Sequence, residues 1–374
     1  MVIRFLLMLL IFAALNVYIG WHGSFLLSFF EVPVPAAMYW IVFWIVSLSY
    51  VFGRFKIVPG VLGRAFQWVG SYYFALLEFA LILLPVADLI AWGLHSAGVP
   101  TTTYVPVLGT FVILVLALLL GIGSWNAWNP IIRTYELHID KPGGDFKELR
   151  VAMASDLHLG NIVENRHLGR LVKAMNAMKP DLILLPGDVI DDVIEPFIRK
   201  EMAQVMKGLQ SRYGIYAVLG NHEYYGGHIP EYIRQMNSIG IRVLQDETVL
   251  VADSFYVAGR KDKTAESMDK AGRLPVADLL ADLDKSKPVL LMDHQPYHFD
   301  KAAAAGADVL MCGHTHRGQF APNHLITKRL FELDWGYMLK EKMHVVVSSG
   351  FGTWGPPVRI ASRSEIIQLM IRFA

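Results

Sequence analysis

Leu184-Leu185-Pro186-Gly187-Asp188-Val189-Ile190-Asp191 is the stretch on which the reading of this chain turns. Its apolar start suits a buried parallel strand ending at Pro186. Gly187 permits a sharp exit and leaves Asp188 at the carboxyl end of the strand, where open α/β sheets place their ligands. Taken alone, a Gly-Asp after a strand is equally a turn.

Four other segments end the same way, an apolar run followed by metal-ligating residue types. Val151–Ala154 runs into Ser155-Asp156-Leu157-His158, and Ile215–Leu219 into Gly220-Asn221-His222-Glu223. Val289–Met292 runs into Asp293-His294, and Asp308–Cys312 into Gly313-His314-Thr315-His316. If these strands share one sheet, their carboxyl ends bring aspartates, an asparagine and several histidines to one edge. A lone histidine is usually a packed or surface residue; the ordered set is what argues against that here.

The apolar residues of this 374-residue chain are unevenly spread. Residues 1 to 130 hold only Arg4, Glu31, Arg54, Lys56, Arg64, Glu78 and Asp88 as Lys, Arg, Asp or Glu. The boundary is therefore expected near Pro130, dividing a membrane region (1–130) from a second domain (131–374). A net charge of +1, with no basic run carrying interleaved aromatics, gives no argument for nucleic acid. Cys312 is the only cysteine, so no internal disulfide is possible; it reads as a small core residue.

Ile3 to Trp21 is long enough to span a bilayer. A signal peptide is the competing reading, but no clear cleavage site follows and further apolar segments do. Ala36 to Phe52, Ala65 to Leu94 and Tyr104 to Trp125 complete an expected four spans. Arg54, Lys56 and Arg64 lie between spans two and three, Arg4 precedes the first, and Arg133, Lys141 and Lys147 follow the fourth. By the positive-inside rule both termini, and the second domain, are expected in the cytoplasm at the cell membrane. Glu78 and Asp88 fall inside the third span; either they face the bundle and are satisfied there, or they are functional.

From Tyr135 strands alternate with helices. Helical spacing is read over Asn165 to Met178, Val193 to Leu209, Ile229 to Ile239 and Val276 to Leu283. Strands are read at Tyr135 to Ile139, at the segments already quoted, at His344 to Ser349 and at Glu365 to Phe373. The pattern reads as a layered α/β or α+β sandwich with helices outside. Phe320 to Met343 reads as a long mixed loop, of a kind usually functional.

Asp156-x-His158, Gly187-Asp188-x-x-Asp191, Gly220-Asn221-His222-Glu223, His294 and Gly313-His314-Thr315-His316 occur in this order. Over about residues 149 to 370 this resembles the calcineurin-like metallophosphoesterase family. The resemblance implies a four-layer sandwich, here preceded by an all-α transmembrane bundle. It assigns Asp156, His158 and His316 to one cation, Asn221, His294 and His314 to a second, and Asp188 to both. His222 is similar to the family's phosphate-contacting histidine, and Asp191 would orient a ligand or His222. The chemistry is consistent: a carboxylate has two oxygens to share, and imidazole with carboxylate suits Mn, Fe or Zn better than Ca or Mg. If His-Thr-His is extended, alternate residues point one way and one short piece feeds both sites. The implied reaction is hydrolysis of a phosphodiester or pyrophosphate by a metal-bridging hydroxide, with cations ~3.5–4 Å apart.

Ser349-Gly350-Phe351-Gly352 and Pro357-x-Arg359 resemble the ending of a membrane-associated branch that includes enzymes cleaving the pyrophosphate of UDP-diacylglucosamine. Lys340-Glu341 departs from it, standing where a glycine-containing turn is expected. Together these features lead to a membrane-anchored dinuclear phosphoesterase with a phosphate-ester substrate that carries a lipid. The alternatives are a non-catalytic membrane sensor or scaffold, distinguished by a missing ligand, and a transporter using Glu78 and Asp88.

Overall fold

The computed structural model describes residues 2–54, 58 and 60–374, apart from the side chains of residues 2 and 5; Lys56, part of the orientation argument, lies outside them. The chain divides into two compact units, Met1–Ser124 with Gly355–Val358, and Trp125–Trp354 with Arg359–Ala374.

The first unit is helical: α1 (Val2–Phe29), α2 (Ala36–Arg54), α3 (Gly60–Ser96) and most of α4 (Thr101–Trp128). Each is long and apolar enough to cross a membrane. Pro85 lies inside α3, which continues through it. Leu7, Leu10, Val42, Leu89, Leu114 and Leu118 are exposed, as lipid-facing positions are and soluble-bundle positions are not. Asp88 is not isolated: it accepts from the Tyr18 hydroxyl at 2.6 Å and lies 3.4 Å from His22 Nε2. The Asp88 carboxylate thus has polar partners within this unit.

The second unit begins with the last turn of α4 and runs in chain order β1 (Ile131–Ile139), β2 (Glu148–Met153), α5 (Asn165–Ala177), β3 (Leu182–Pro186), α6 (Glu195–Arg199), α7 (Met202–Met206), β4 (Ile215–Val218), α8 (Asn221–Gly226), α9 (Ile229–Ser238), β5 (Ile241–Leu244), β6 (Glu247–Val251), β7 (Phe255–Gly259), α10 (Ala265–Met268), α11 (Val276–Leu279), β8 (Val289–Met292), α12 (Phe299–Ala304), β9 (Val309–Cys312), α13 (His324–Leu330), β10 (Gly336–Lys340), β11 (Met343–Val347) and β12 (Glu365–Phe373). The strands form two six-stranded sheets, ordered β1-β12-β2-β3-β4-β5 and β10-β11-β9-β8-β7-β6.

The ligand-bearing strands therefore do not share one sheet. β2, β3 and β4 are parallel neighbours in the first, and β8 and β9 in the second. Strand periodicity explains how both sheets serve one site. Val151, Met153, Leu182 and Leu184 face Leu290, Met292, Val309 and Met311 across the inter-sheet core. The alternate residues Ala152, Ile183 and Leu185 pack under α5, α7 and α9; Leu291, Leu310 and Cys312 pack under α11 and α12. Helices thus cover both outer faces, giving four layers. Along α5, Leu168, Leu171 and Met175 recur at helical spacing and supply its buried face.

Two expectations are corrected. Val193 to Leu209 is two short helices, broken where Asn165 Nδ2 takes the Lys200 carbonyl at 2.7 Å and Glu201 turns left-handed (φ 50°). Phe320 to Met343 is not a loop but holds α13 and the hairpin strand β10, paired antiparallel with β11. In that hairpin Glu341 sits at φ 55°, a conformation glycine adopts without strain, which is why a glycine is looked for there.

Candidate metal centre

Each candidate ligand leaves its strand through a strained or tightly packed turn. Asp156, His158, Asp188, His314 and His316 all have positive φ, between 45° and 74°. Such backbone is held only where its surroundings over-determine it, commonly at functional sites. Gly187 is needed twice over: its φ is +86°, and a Cβ there would lie 2.5 Å from His294 Nδ1. A Cβ on Gly313 would meet Asp156 Oδ2 at 2.2 Å. The Gly-Asp and Gly-His pairs thus let the polar side chains approach each other. His314-Thr315-His316 is not extended as expected; Thr315 is α-helical in backbone and His316 opens a 3-10 turn. The two histidines still diverge to different partners.

His316 Nε2 lies 2.9 Å from His158 Nε2 and 3.6 Å from Asp156 Oδ1. On the other side, Asn221 Oδ1 lies 2.8 Å from His314 Nδ1 and 3.1 Å from His294 Nε2. Asp188 Oδ2 is 3.0 Å from His294 Nε2 and 3.9 Å from His158 Nε2, so one oxygen adjoins both groups. Asp156–His158–His316 and Asp188–His294–His314 each gather donor atoms within 4.8 Å of one another, close enough for either triad to hold a metal ion. A third grouping, His158–Asp191–His222, meets the same test.

The donor set fits transition-metal cations. Nitrogen and oxygen atoms about 3 Å apart can both lie ~2.0–2.2 Å from one ion. His294 Nδ1 is 2.9 Å from the Pro186 carbonyl, which can only accept, so Nδ1 carries a hydrogen. Burial favours the neutral ring, but Asp188 beside Nε2 outweighs it and holds the ring well above its ordinary value, so a cation taken at Nε2 would displace a proton. Burial pushes the Asp156 carboxyl up to about 6, His294 opposing and Asp188 adding to the rise. For Asp188 burial also pushes upward, but the His294 charge and hydrogen bond win and hold it ionised. Burial keeps His158 and His316 neutral, as ligands must be.

His222 behaves differently. Its burial favours the neutral ring, but Asp192, Asp188 and Asp191 outweigh it and raise the ring to about 9, so it is a cation at neutral pH. Nδ1 is 2.7 Å from Asp192 Oδ1 and 3.5 Å from Asp191 Oδ1. Asp191 was singled out in the sequence; Asp192 is the nearer partner. Asp191 Oδ1 also lies 3.8 Å from His158 Nδ1, so it stands between the two histidines. A protonated imidazole beside the two triads can contact an anionic substrate or donate a proton.

Two further residues carry the geometry. Both Glu223 oxygens are taken by backbone amides, Asp188 N at 3.2 Å, Gly220 N at 2.7 Å and Ile190 N at 3.0 Å. The fully buried Arg359 directs Nη2 at His316 Nδ1 (3.1 Å) and at the Gly350 and Gly352 carbonyls. Glu223 was visible in the Gly-Asn-His-Glu motif, but nothing local said what its carboxylate holds. Arg359 is 43 residues from His316, and only the C-terminal Pro-x-Arg pattern pointed to it.

A family model described as calcineurin-like phosphoesterase matches residues 149–318. An uncharacterised metallophosphoesterase of Aquifex aeolicus is 30% identical over 251 residues, 64% of this chain and 94% of that one. The chain belongs to the metallophosphoesterase family. A metallophosphoesterase of Campylobacter jejuni is 33% identical over 230 residues, covering 60% of each chain. The bovine "Transmembrane protein with metallophosphoesterase domain" is 27% identical over 328 residues, 83% of this chain and 73% of that one. This metallophosphoesterase thus has a transmembrane relative as well as four apolar helices of its own, and the family implies phosphoester hydrolysis.

Proposed function

We infer that this metallophosphoesterase is a membrane-anchored dinuclear hydrolase of a phosphodiester or pyrophosphate, with a lipid-linked substrate. The observation that carries this reading is the position of Asp188 Oδ2, adjacent to His158 on one side and His294 on the other. In it, Asp156, His158 and His316 would hold one divalent cation and Asn221, His294 and His314 the second, with Asp188 available to both. Mn, Fe or Zn suits these donors. Two such cations would supply an activated water and neutralise phosphoryl oxygens.

The chain's own groups do the rest. His222, cationic and aimed by Asp192 and Asp191, binds a phosphoryl oxygen or protonates the departing one. The Asn221 side chain contributes a neutral amide oxygen, leaving its cation more electrophilic. Arg359 and Glu223 fix the ligands from behind.

A lipid-bearing substrate follows from anchorage: an enzyme fixed at a bilayer meets such molecules without extracting them. Full-length protein in liposomes with Mn, tested on UDP-acyl-sugars, phospholipids and cyclic nucleotides, decides the matter. Hydrolysis of a lipid-bearing phosphoester, lost in Asp188→Asn, is expected. Activity confined to water-soluble esters overturns the lipid assignment. The basic residues Arg54 and Arg64 between spans, and Arg133 after them, support a cytoplasmic catalytic unit. A reporter fused after Trp125 that works only outside the cell overturns that orientation.

A further inference from the structure

The helix α13 has no buried residue. Leu325 and Ile326 are each 57% exposed and Leu330 is 67% exposed, with Ile326 and Leu330 one turn apart on one face. Lys328 and Arg329 lie beside them, and α13 contains no carboxylate. Another large apolar group, Trp354, is 61% exposed while Gln319 grips its backbone from both sides, at 3.0 Å each. Large exposed apolar side chains rimmed by cations mark a surface that something covers.

The occupant is argued from connectivity within the second unit. The last turn of α4 is fastened to this unit's own C-terminal segment and helix α5. Asn126 Nδ2 donates to the Arg359 carbonyl at 3.1 Å, Ser364 N donates to Asn126 O at 3.1 Å, and Arg170 donates to the Trp128 carbonyl. Arg133 stands four residues beyond Asn129, about 13 Å of extended chain. Its guanidinium lies over the Trp335 ring, 4.8 Å from the centroid, and Trp335 Nε1 donates to Glu365. Trp335 adjoins Asp334, which accepts from Thr327 of α13 at 2.6 Å. A short series of contacts therefore joins the end of a membrane-crossing helix to α13.

We propose that α13, with Leu325, Ile326 and Leu330, and the Trp354 indole dock into the headgroup layer of the bilayer that the chain itself crosses. Apolar residues enter the interface while Lys328 and Arg329 meet anionic headgroups, the arrangement of an interfacial amphipathic segment. The docked segment leads directly to the metal centre. Phe331 follows α13, its ring 6.1 Å from that of His314 and 5.0 Å from that of Tyr297. Docking would present that side of the centre to lipid headgroups.

The test uses the full chain in nanodiscs. Cys312 is fully buried, so single cysteines placed by Ile326→Cys and Leu330→Cys can be labelled selectively with an environment-sensitive fluorophore. Ser238→Cys on α9 is the solvent control. Headgroup-nitroxide lipids are expected to quench the two α13 labels several-fold more than the control, and more in phosphatidylglycerol than in phosphatidylcholine. Quenching no greater than the control overturns the proposal. So does a blue shift that appears only with two protein copies per disc, which assigns the face to a second copy of the chain. Neither readout requires turnover, so a docked but inactive protein sinks the hydrolase reading and leaves this one standing.

Discussion

Asn126, in the last turn of α4, donates its side-chain amide to the backbone carbonyl of Arg359, whose guanidinium reaches Nδ1 of the candidate ligand His316. The end of a helix long and apolar enough to cross a membrane is thus two side chains from the candidate metal centre. Arg359→Met leaves the Gly350 and Gly352 carbonyls beside His316 and Asp156 without their donor, loosens the segment packed against these ligands, and should weaken cation binding by about 10-fold. Metal titration of purified protein checks this. Asn126→Ala loses one partly buried hydrogen bond and should cost about 1 kcal/mol, read as a lowered unfolding midpoint.

Asp188→Asn keeps the shape of the side chain but removes the charge expected to serve both cations. Turnover should be abolished and bound metal should fall in purified protein, measured by elemental analysis. Full activity with two cations retained would refute the shared role of Asp188.

His222→Gln should lower kcat by about 10²–10⁴-fold, the usual worth of a positioned acid, while bound metal is unchanged. Asp192→Asn should give a smaller loss, because Asp191 remains 3.5 Å from the ring. Steady-state kinetics on the two variants gives the ordering, and equal losses would argue against it.

Chelation should lower the unfolding midpoint of the wild-type protein, and Mn should restore it. A ligand present at 100 times its Kd stabilises by about 2.7 kcal/mol. Asp188→Asn, lacking the shared ligand, should respond far less. A wild-type midpoint indifferent to chelator would mean that the centre binds no structural metal.

His167 is buried between Trp128 and Phe351, and burial lowers its ring to about 4, the Phe351 carbonyl opposing and Arg170 and Arg359 adding to the fall. Its unfolded value is about 6.5, so between these the unfolded chain binds more protons. The contribution is therefore complete above pH 6.5 and is lost as pH falls toward 4, up to about 3 kcal/mol. Comparing His167→Gln with wild type across that window isolates the effect, since the variant should have the shallower pH slope.

The candidate ligands were legible because each follows an apolar run and precedes a residue type with few other reasons to be there. What the runs could not say was which sheet each strand joins. Both faces of β2, β3, β8 and β9 are buried, so alternation carries no label for the partner sheet. The same blindness hid β10, an edge strand whose faces are only half distinguished, inside a segment read as loop. The motif pointed to Asp191, and only the ring position of His222 shows Asp192 to be the nearer partner. The contact of Arg359 with His316 escaped because the fold, rather than the chain, brings them near.

Glu223 has one more consequence. Its two oxygens bind amides of the turns after β3 and β4, including that of Asp188 itself. The pieces that present Asp188 and Asn221 are therefore clasped together by protein alone. Ions arriving from solution would meet a finished socket rather than assemble one, and the protein could exchange them without losing its shape.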